Sequence, residues 1–175
     1  ISADSLSKEW QAAMRNKYEP QLQDKTHPKD IGEPLFTGKG GTNLSPVISP
    51  DGSYFAFLSR KDIFTLDLYM ADAETGEVIK KLVSAQASPH FDALRFMSSA
   101  GAWSPDSKLF AFVVFQKGDN AISILDVESG EIIETFTLKD VDGMTYLAWA
   151  PDGERIVVAG SMGGIGNVFL FDRSR

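Results

Sequence analysis

Three segments of the chain run apolar at consecutive positions: Phe55-Ala56-Phe57-Leu58, Leu109-Phe110-Ala111-Phe112-Val113-Val114-Phe115 and Ile156-Val157-Val158-Ala159. A strand with one wet face alternates apolar and polar residues, so these three predict strands buried on both faces. Each follows a Pro-Asp step, in Pro50-Asp51-Gly52, Pro105-Asp106-Ser107 and Pro151-Asp152-Gly153. Proline presets φ near about −65°, aspartate bonds the backbone two residues on, and glycine accepts positive φ, so each step predicts a hairpin turn. The connections are hairpin-short and no crossover-length helical pattern separates the strands, which argues against a parallel sheet. What remains is an all-β architecture of small antiparallel sheets stacked face to face, as in a propeller.

The copies share more than their turns. From Pro50 to Asp72 the offset is 22 residues, and from Pro105 to Asp126 and from Pro151 to Asp172 it is 21. A third strand therefore ends at each of these aspartates. Asp72-Ala73-Glu74-Thr75-Gly76-Glu77 and Asp126-Val127-Glu128-Ser129-Gly130-Glu131 predict a second hairpin turn with glycine in the left-handed position. The fourth strands that follow, Val78-Ile79-Lys80-Lys81-Leu82 and Ile132-Ile133-Glu134-Thr135-Phe136, mix charge into the apolar run, as edge strands do. The third copy ends at Asp172-Arg173-Ser174-Arg175 without a fourth strand. Three four-stranded antiparallel blades are expected, at about residues 43–84, 99–138 and 145–175, the last incomplete, within a segment covering 33–175. Gly76 to Trp103 spans 27 residues against 19 from Gly130 to Trp149, which places an eight-residue insertion within Ala85–Ser98.

Residues 1–32 differ. Leu6, Trp10, Met14 and Tyr18 recur every four residues, predicting an amphipathic helix with Asp4 or Ser5 as N-cap and Pro20 as its stop. Its stripe is expected to pack on the neighbouring sheet or on an upstream domain. A polar linker follows to Gly32, and Glu33-Pro34-Leu35-Phe36-Thr37 is a short strand candidate. Gly38-Lys39-Gly40-Gly41-Thr42 lacks the Walker spacing and reads as a loop. The chain opens on Ile1 without a signal-peptide pattern, which suggests a piece of something longer.

A net charge of −7, with 17 Lys and Arg residues scattered along the chain, argues against nucleic acid and anionic membranes as partners. There is no cysteine, and no apolar run approaches the ~20 residues of a membrane span.

Trp103-Ser104-Pro105-Asp106 followed by Ala111-Phe112-Val113, and then Asp126-x-x-Ser129-Gly130-Glu131, resembles the TolB-type propeller repeat. The likeness runs from Phe36 to Asp172. The helix with Trp10, the phrase His90-Phe91-Asp92-Ala93-Leu94-Arg95-Phe96 and Gly163-Gly164-Ile165-Gly166-Asn167 together resemble large bacterial secreted proteins in which a zinc-peptidase-like domain precedes a TolB-like propeller. The resemblance implies a periplasmic or secreted setting. It also implies a metal motif His-Glu-x-x-His upstream, which this sequence does not contain.

No catalytic residue and no cofactor are therefore expected. His27 and His90 are the only histidines and stand far apart in sequence, without further ligands at metal spacing. Asp51, Asp106 and Asp152 sit in separate turns, and Trp103 and Trp149 are expected to fill space between blades. The insertion residues His90, Phe91, Asp92 and Arg95 are the candidate contact surface, since loops that depart from a repeat carry function. The expected role is a non-catalytic scaffold that binds proteins or a neighbouring domain. The alternative is a substrate-gating part of a larger peptidase or hydrolase. Three blades do not close a ring, so a homodimer completing six blades head to tail is a further expectation.

Overall fold

In the computed structural model, residues 2–27, 30–35, 41–60, 66–84, 93–94 and 100–174 are described, 93 and 94 by their backbone. The chain divides into two compact units, Ile1–Leu35 and Phe36–Arg175.

The first unit is a helix, α1 (Ala3–Leu22), whose N-cap is Ser2 rather than Asp4 or Ser5. The Ser2 Oγ accepts the Ser5 N–H at 3.2 Å, which leaves Asp4 inside the first turn, where its charge complements the helix dipole. Pro20 lies within the last turn, and the helix runs two residues beyond it. Proline loses only one intrahelical bond there, so it weakens the end without setting it. No residue of α1 is buried, and Leu6, Trp10, Tyr18 and Leu22 are exposed. Glu33, Pro34 and Leu35 form no strand, which removes the described half of the candidate strand at 33–37.

The second unit consists of three antiparallel sheets. Blade 1 is β1 (Thr42–Ile48), β2 (Tyr54–Arg60), β3 (Asp67–Asp72) and β4 (Val78–Val83), paired in that order. In blade 2, β7 (Leu109–Gln116), β8 (Asp119–Asp126) and β9 (Ile132–Thr137) are preceded by two short pieces, β5 (Ala93–Leu94) and β6 (Ala102–Trp103). Both pieces pair with β7 and share the place that β1 fills in blade 1. Blade 3 has β10 (Gly143–Trp149), β11 (Arg155–Met162) and β12 (Ile165–Asp172), and β12 has no partner on its outer side among the described residues. The first strands of neighbouring blades, β1, β6 and β10, lie against one another.

The doubly apolar second strands account for the stacking. Alternate residues of β7 point to opposite faces, so Phe110, Phe112 and Val114 join one core while Ala111 and Val113 join another. The first core lies between blades 1 and 2 and takes Ala56, Leu58, Leu68 and Met70 from blade 1. The second lies between blades 2 and 3, where Ile122 and Ile124 of β8 meet Ile156, Val158, Phe169 and Phe171. Each blade thus offers a trailing face to the leading face of the next. Phe55, Phe57, Tyr69 and Ala71, on the leading face of blade 1, form a third buried cluster with rings 5.4 and 5.8 Å apart.

Ile124 and Leu170 occupy the same repeat position, opposite Ala111 and Val157 respectively. The first is fully buried and the second is 63% exposed. Ile124→Ala should therefore lower unfolding stability by about 2–5 kcal/mol, and Leu170→Ala by less than about 0.5 kcal/mol, in urea titrations followed by circular dichroism. Equal losses at the two positions would contradict the stacking described.

Candidate functional site

The repeated turns are the best-defined polar constellations in the chain, and their chemistry is local. In each, the residue before proline accepts an N–H from three residues on: Gly52 to Ser49, Ser107 to Ser104 and Gly153 to Ala150, at 2.9 to 3.0 Å. Pro50, Pro105 and Pro151 take the second turn position and Asp51, Asp106 and Asp152 the third. The residue after aspartate is left-handed in all three, with φ of 75° at Gly52, 61° at Ser107 and 76° at Gly153.

Ser49 and Ser104 reinforce the first two turns. The buried Ser104 Oγ donates to Asp106 Oδ1 at 2.6 Å and accepts the Leu109 N–H at 2.8 Å. Ser49 binds Asp51 and Tyr54 in the same way. Ala150 lacks the hydroxyl, and there Asp152 accepts the Glu154 and Arg155 N–H groups and pairs with the Arg155 guanidinium.

These donors set the acidity of the turns. The Ser49 hydroxyl first and the Ser53 N–H second hold the Asp51 carboxyl below the ordinary range. The Ser104 hydroxyl and the Lys108 N–H do the same for Asp106, and the Glu154 N–H and the Arg155 side chain for Asp152. At the outer turns, Asp72 is lowered by the Thr75 N–H and hydroxyl, and Asp126 by those of Ser129. A carboxylate held ionised by its own turn is a poor general acid or base near neutral pH. The three Pro-Asp aspartates also stand in three different blades. The geometry makes them turn locks.

Trp103 is 5% exposed, donates its indole N–H to the Val47 carbonyl at 2.9 Å and meets Phe110 edge-on at 5.1 Å. It binds blade 2 to blade 1 and offers no open stacking face. Trp149 is partly buried against the second core and carries the Arg173 guanidinium 5.4 Å from its ring centre. Arg173 also pairs with Glu134 of β9 and donates to the Gly153 carbonyl, fastening the end of blade 3 to blade 2. Sequence reasoning had assigned Arg173 no role. Its only signal was a basic residue directly after the third-strand aspartate.

His90, Phe91, Asp92 and Arg95 lie outside the described residues, as does the Gly38–Gly40 part of the glycine loop. The pairing of the flanking residues nonetheless locates half of the insertion. Leu94 is opposite Val114 and Ala102 opposite Ala111. From 94 to 102 the chain advances eight residues while β7 retreats three, an excess of five. In β1 and β10 the corresponding ladder slips by a single residue, between Leu44 and Val47 and between Met144 and Tyr146. Between Leu94 and Ala102 the first strand of blade 2 therefore carries four more residues than the corresponding paired stretches of β1 and β10. Gly101, directly before β6, has φ 143°, and a Cβ there would stand 2.2 Å from the Ala111 carbonyl oxygen. Among the described residues no three His, Asp or Glu side chains converge on a metal position, and no helix is long and apolar enough to cross a membrane.

Comparison with known proteins agrees with this geometry. The crystal structure of TolB from Acinetobacter baumannii superposes with a TM-score of 0.60 at 21% identity, over 79% of this chain and 31% of that one. The fold is a TolB-like propeller. The propeller domain of the Trilobed protease from Pyrococcus furiosus, which has an open velcro topology, superposes with a TM-score of 0.54 at 13% identity, over 79% of this chain and 42% of that one. In sequence, the chain is 29% identical over 125 residues to a Bacillus subtilis protein named uncharacterized peptidase YuxL, across 67% of this chain and 17% of that protein. The chain thus spans less than half the length of each of these relatives. No family model matches the sequence.

Two measurements check the turn chemistry. Ser104→Ala strands the Leu109 N–H in a partly buried site and should cost about 1–3 kcal/mol of unfolding stability. The five lowered carboxyls are ionised more readily in the folded state than in the unfolded chain. Their stabilisation is complete above the unfolded aspartate value of about 3.9 and is lost as pH falls through their folded values. Thermal midpoints should decline below about pH 4, and Asp106→Asn should flatten part of that decline. An acid limb of unchanged slope in this variant would refute the assignment.

Proposed function

We propose that this chain is a non-catalytic propeller scaffold that binds other proteins or a neighbouring domain, in the bacterial envelope or secreted space. The observation that carries the proposal is the extra length of blade 2's first strand between the paired residues Leu94 and Ala102. Three copies otherwise alike in turns, register and core diverge most at the strand position where neighbouring blades approach one another. A repeat scaffold keeps its stacking surfaces constant and varies its loops, so the divergent loop is the part available for a partner. Arg95 falls between the two pairing points, and His90, Phe91 and Asp92 lead directly into the first. A sequence stretch that combines a cation, a carboxylate and an aromatic ring suits a polar protein surface better than an apolar small molecule.

A photo-crosslinking residue placed in turn at positions 90, 91, 92 and 95 in cells tests this. The expected result is one discrete adduct, identified as the same envelope protein or the same domain of the parent polypeptide from at least two positions. A control at the exposed Glu154 should give none. Diffuse labelling from all four positions would sink the proposal.

A second reading is a substrate-gating part of a larger peptidase whose active site lies outside this chain. It is favoured by the relative named as a peptidase and by the likeness to the propeller domain of the Trilobed protease. Deleting residues 42–174 from such a parent should leave short peptides cleaved and admit larger substrates. A deletion that leaves substrate size selection unaltered would remove this reading.

A further inference from the structure

The two seams between blades are fastened differently. At the seam of blades 1 and 2, hydrogen bonds cross at three places: Trp103 Nε1 donates to the Val47 carbonyl at 2.9 Å, the Asp51 N–H to Ser107 Oγ at 3.2 Å, and Lys80 Nζ to the Glu128 carbonyl at 2.8 Å. Each place has a counterpart at the seam of blades 2 and 3. Trp149 pairs with Ile156 as Trp103 pairs with Phe110, yet its indole Nε1 is buried without a partner. Gly153 follows Asp152 where Ser107 follows Asp106, and it has no hydroxyl to receive the Asp106 N–H. At the third place a link remains. Glu134 stands opposite Ile124 as Lys80 stands opposite Met70, and it takes Arg173 of blade 3.

That link is bidentate. Arg173 Nε donates to Glu134 Oε2 at 3.1 Å and an Nη donates to Oε1, while the same guanidinium lies 5.4 Å from the centre of the Trp149 ring. The far end of the seam is held by a single peptide unit. Its Val141 carbonyl accepts Asn120 Nδ2 of blade 2 at 2.8 Å, and its Asp142 N–H donates to the Ser161 carbonyl of blade 3 at 2.8 Å. The unit is planar, so it ties the two blades through one rigid plate. Asn120 Oδ1 is buried and takes no partner, so the carboxamide grips that plate with its amine alone. β10 runs from Gly143 beside this peptide to Trp149 beside Arg173, which sets the two fastenings roughly 20 Å apart. Trp149 Nε1 and Asn120 Oδ1 are the two buried side-chain atoms without a partner among the described residues, and both belong to this seam.

We propose that blade 3 swings as an intact sheet against blade 2, with the Val141–Asp142 peptide as its pivot and the Arg173–Glu134 pair as the latch that holds the seam shut. In the closed state the Trp149 indole N–H has lost water and gained no acceptor, and opening restores its hydration. The apolar contacts of Ile122, Ile124, Ile156 and Val158 oppose the motion, so the open form is a minor population. The ladders that join β10, β11 and β12 lie wholly within blade 3 and survive it. The seam of blades 1 and 2 keeps its three links. The latch is an ion pair whose side chains remain 20% and 32% exposed, so added salt loosens it.

Hydrogen exchange of the whole chain, followed by NMR, reads the seams separately when each rate is divided by that of the same group in the unfolded chain. The Trp149 indole N–H should be at least about tenfold less protected than the Trp103 indole N–H and than the backbone amides of β11. This pattern separates a swinging sheet from a blade that unfolds, because unfolding would release the indole and the β11 amides together. Glu134→Gln should lower the Trp149 protection a further tenfold or so, with the β11 amides still the better protected. Arg173→Gln should do the same, and Arg173→Lys, which keeps the charge, should fall between Arg173→Gln and the unaltered chain. Reading two latch positions keeps the test decisive if one variant folds poorly. Equal protection of the Trp149 indole and the β11 amides would overturn the proposal. So would a Trp103 indole as open as that of Trp149, or a Trp149 rate that neither latch variant changes.

Discussion

A sheet that is apolar on both faces must be covered on both faces, and the rest of this structure follows from that constraint. Burial of apolar surface yields roughly 25 cal/mol per Å², so leaving one face of β7 in water would forfeit several kcal/mol in a fold whose net stability is of that order. Alternation assigns Phe110, Phe112 and Val114 to one neighbour and Ala111 and Val113 to the other. Blade 2 therefore needs two partners. The fourth strands escape the constraint in part, because β4 and β9 close the outer edges of the first two sheets and carry polar partners: Lys81 pairs with Asp67 within blade 1, Lys80 donates to the Glu128 carbonyl of blade 2, and Glu134 pairs with Arg173 of blade 3.

Within this frame the turns set the register. The Ser-Pro-Asp lock fixes where the second strand begins, and a slip of one residue there would exchange the two faces of the sheet. At Ser107 local preference and tertiary structure are at odds. A left-handed serine is less favourable than glycine, yet its hydroxyl accepts the Asp51 N–H of the preceding blade at 3.2 Å. Replacing it by glycine would ease the backbone and sever that link.

Much of the fold could be read from the residues because the signals repeat. Three Pro-Asp steps, two Asp-x-x-Thr/Ser-Gly turns and three consecutive apolar runs carry the strand order, the antiparallel pairing and the three-stranded last sheet. Other features depended on contacts that spacing does not encode. Ser2 caps α1 in place of Asp4 or Ser5, because all three side chains can accept an N–H and only the backbone path selects among them. Pro20 cannot mark a helix end to within a turn. Glu33–Leu35 find no strand partner among the described residues. The repeat offsets bound the insertion within Ala85–Ser98 but could not divide it, whereas the pairing of Leu94 and Ala102, set against the one-residue slip of β1 and β10, assigns four of its eight extra residues to the segment between them. The role of Arg173 was hidden because Glu134 lies 39 positions away.

The two ends of the stack are not alike: the leading face of blade 1 is closed, and the trailing face of blade 3 is open. Such a stack has a growth direction. As the chain leaves the ribosome from its N-terminus, each finished sheet presents a preformed apolar template to the next one synthesised, and the previous end is already sealed against wrong partners. Folding order then coincides with synthesis order. The transient hazard of exposed sheet surface is confined to the single most recent blade.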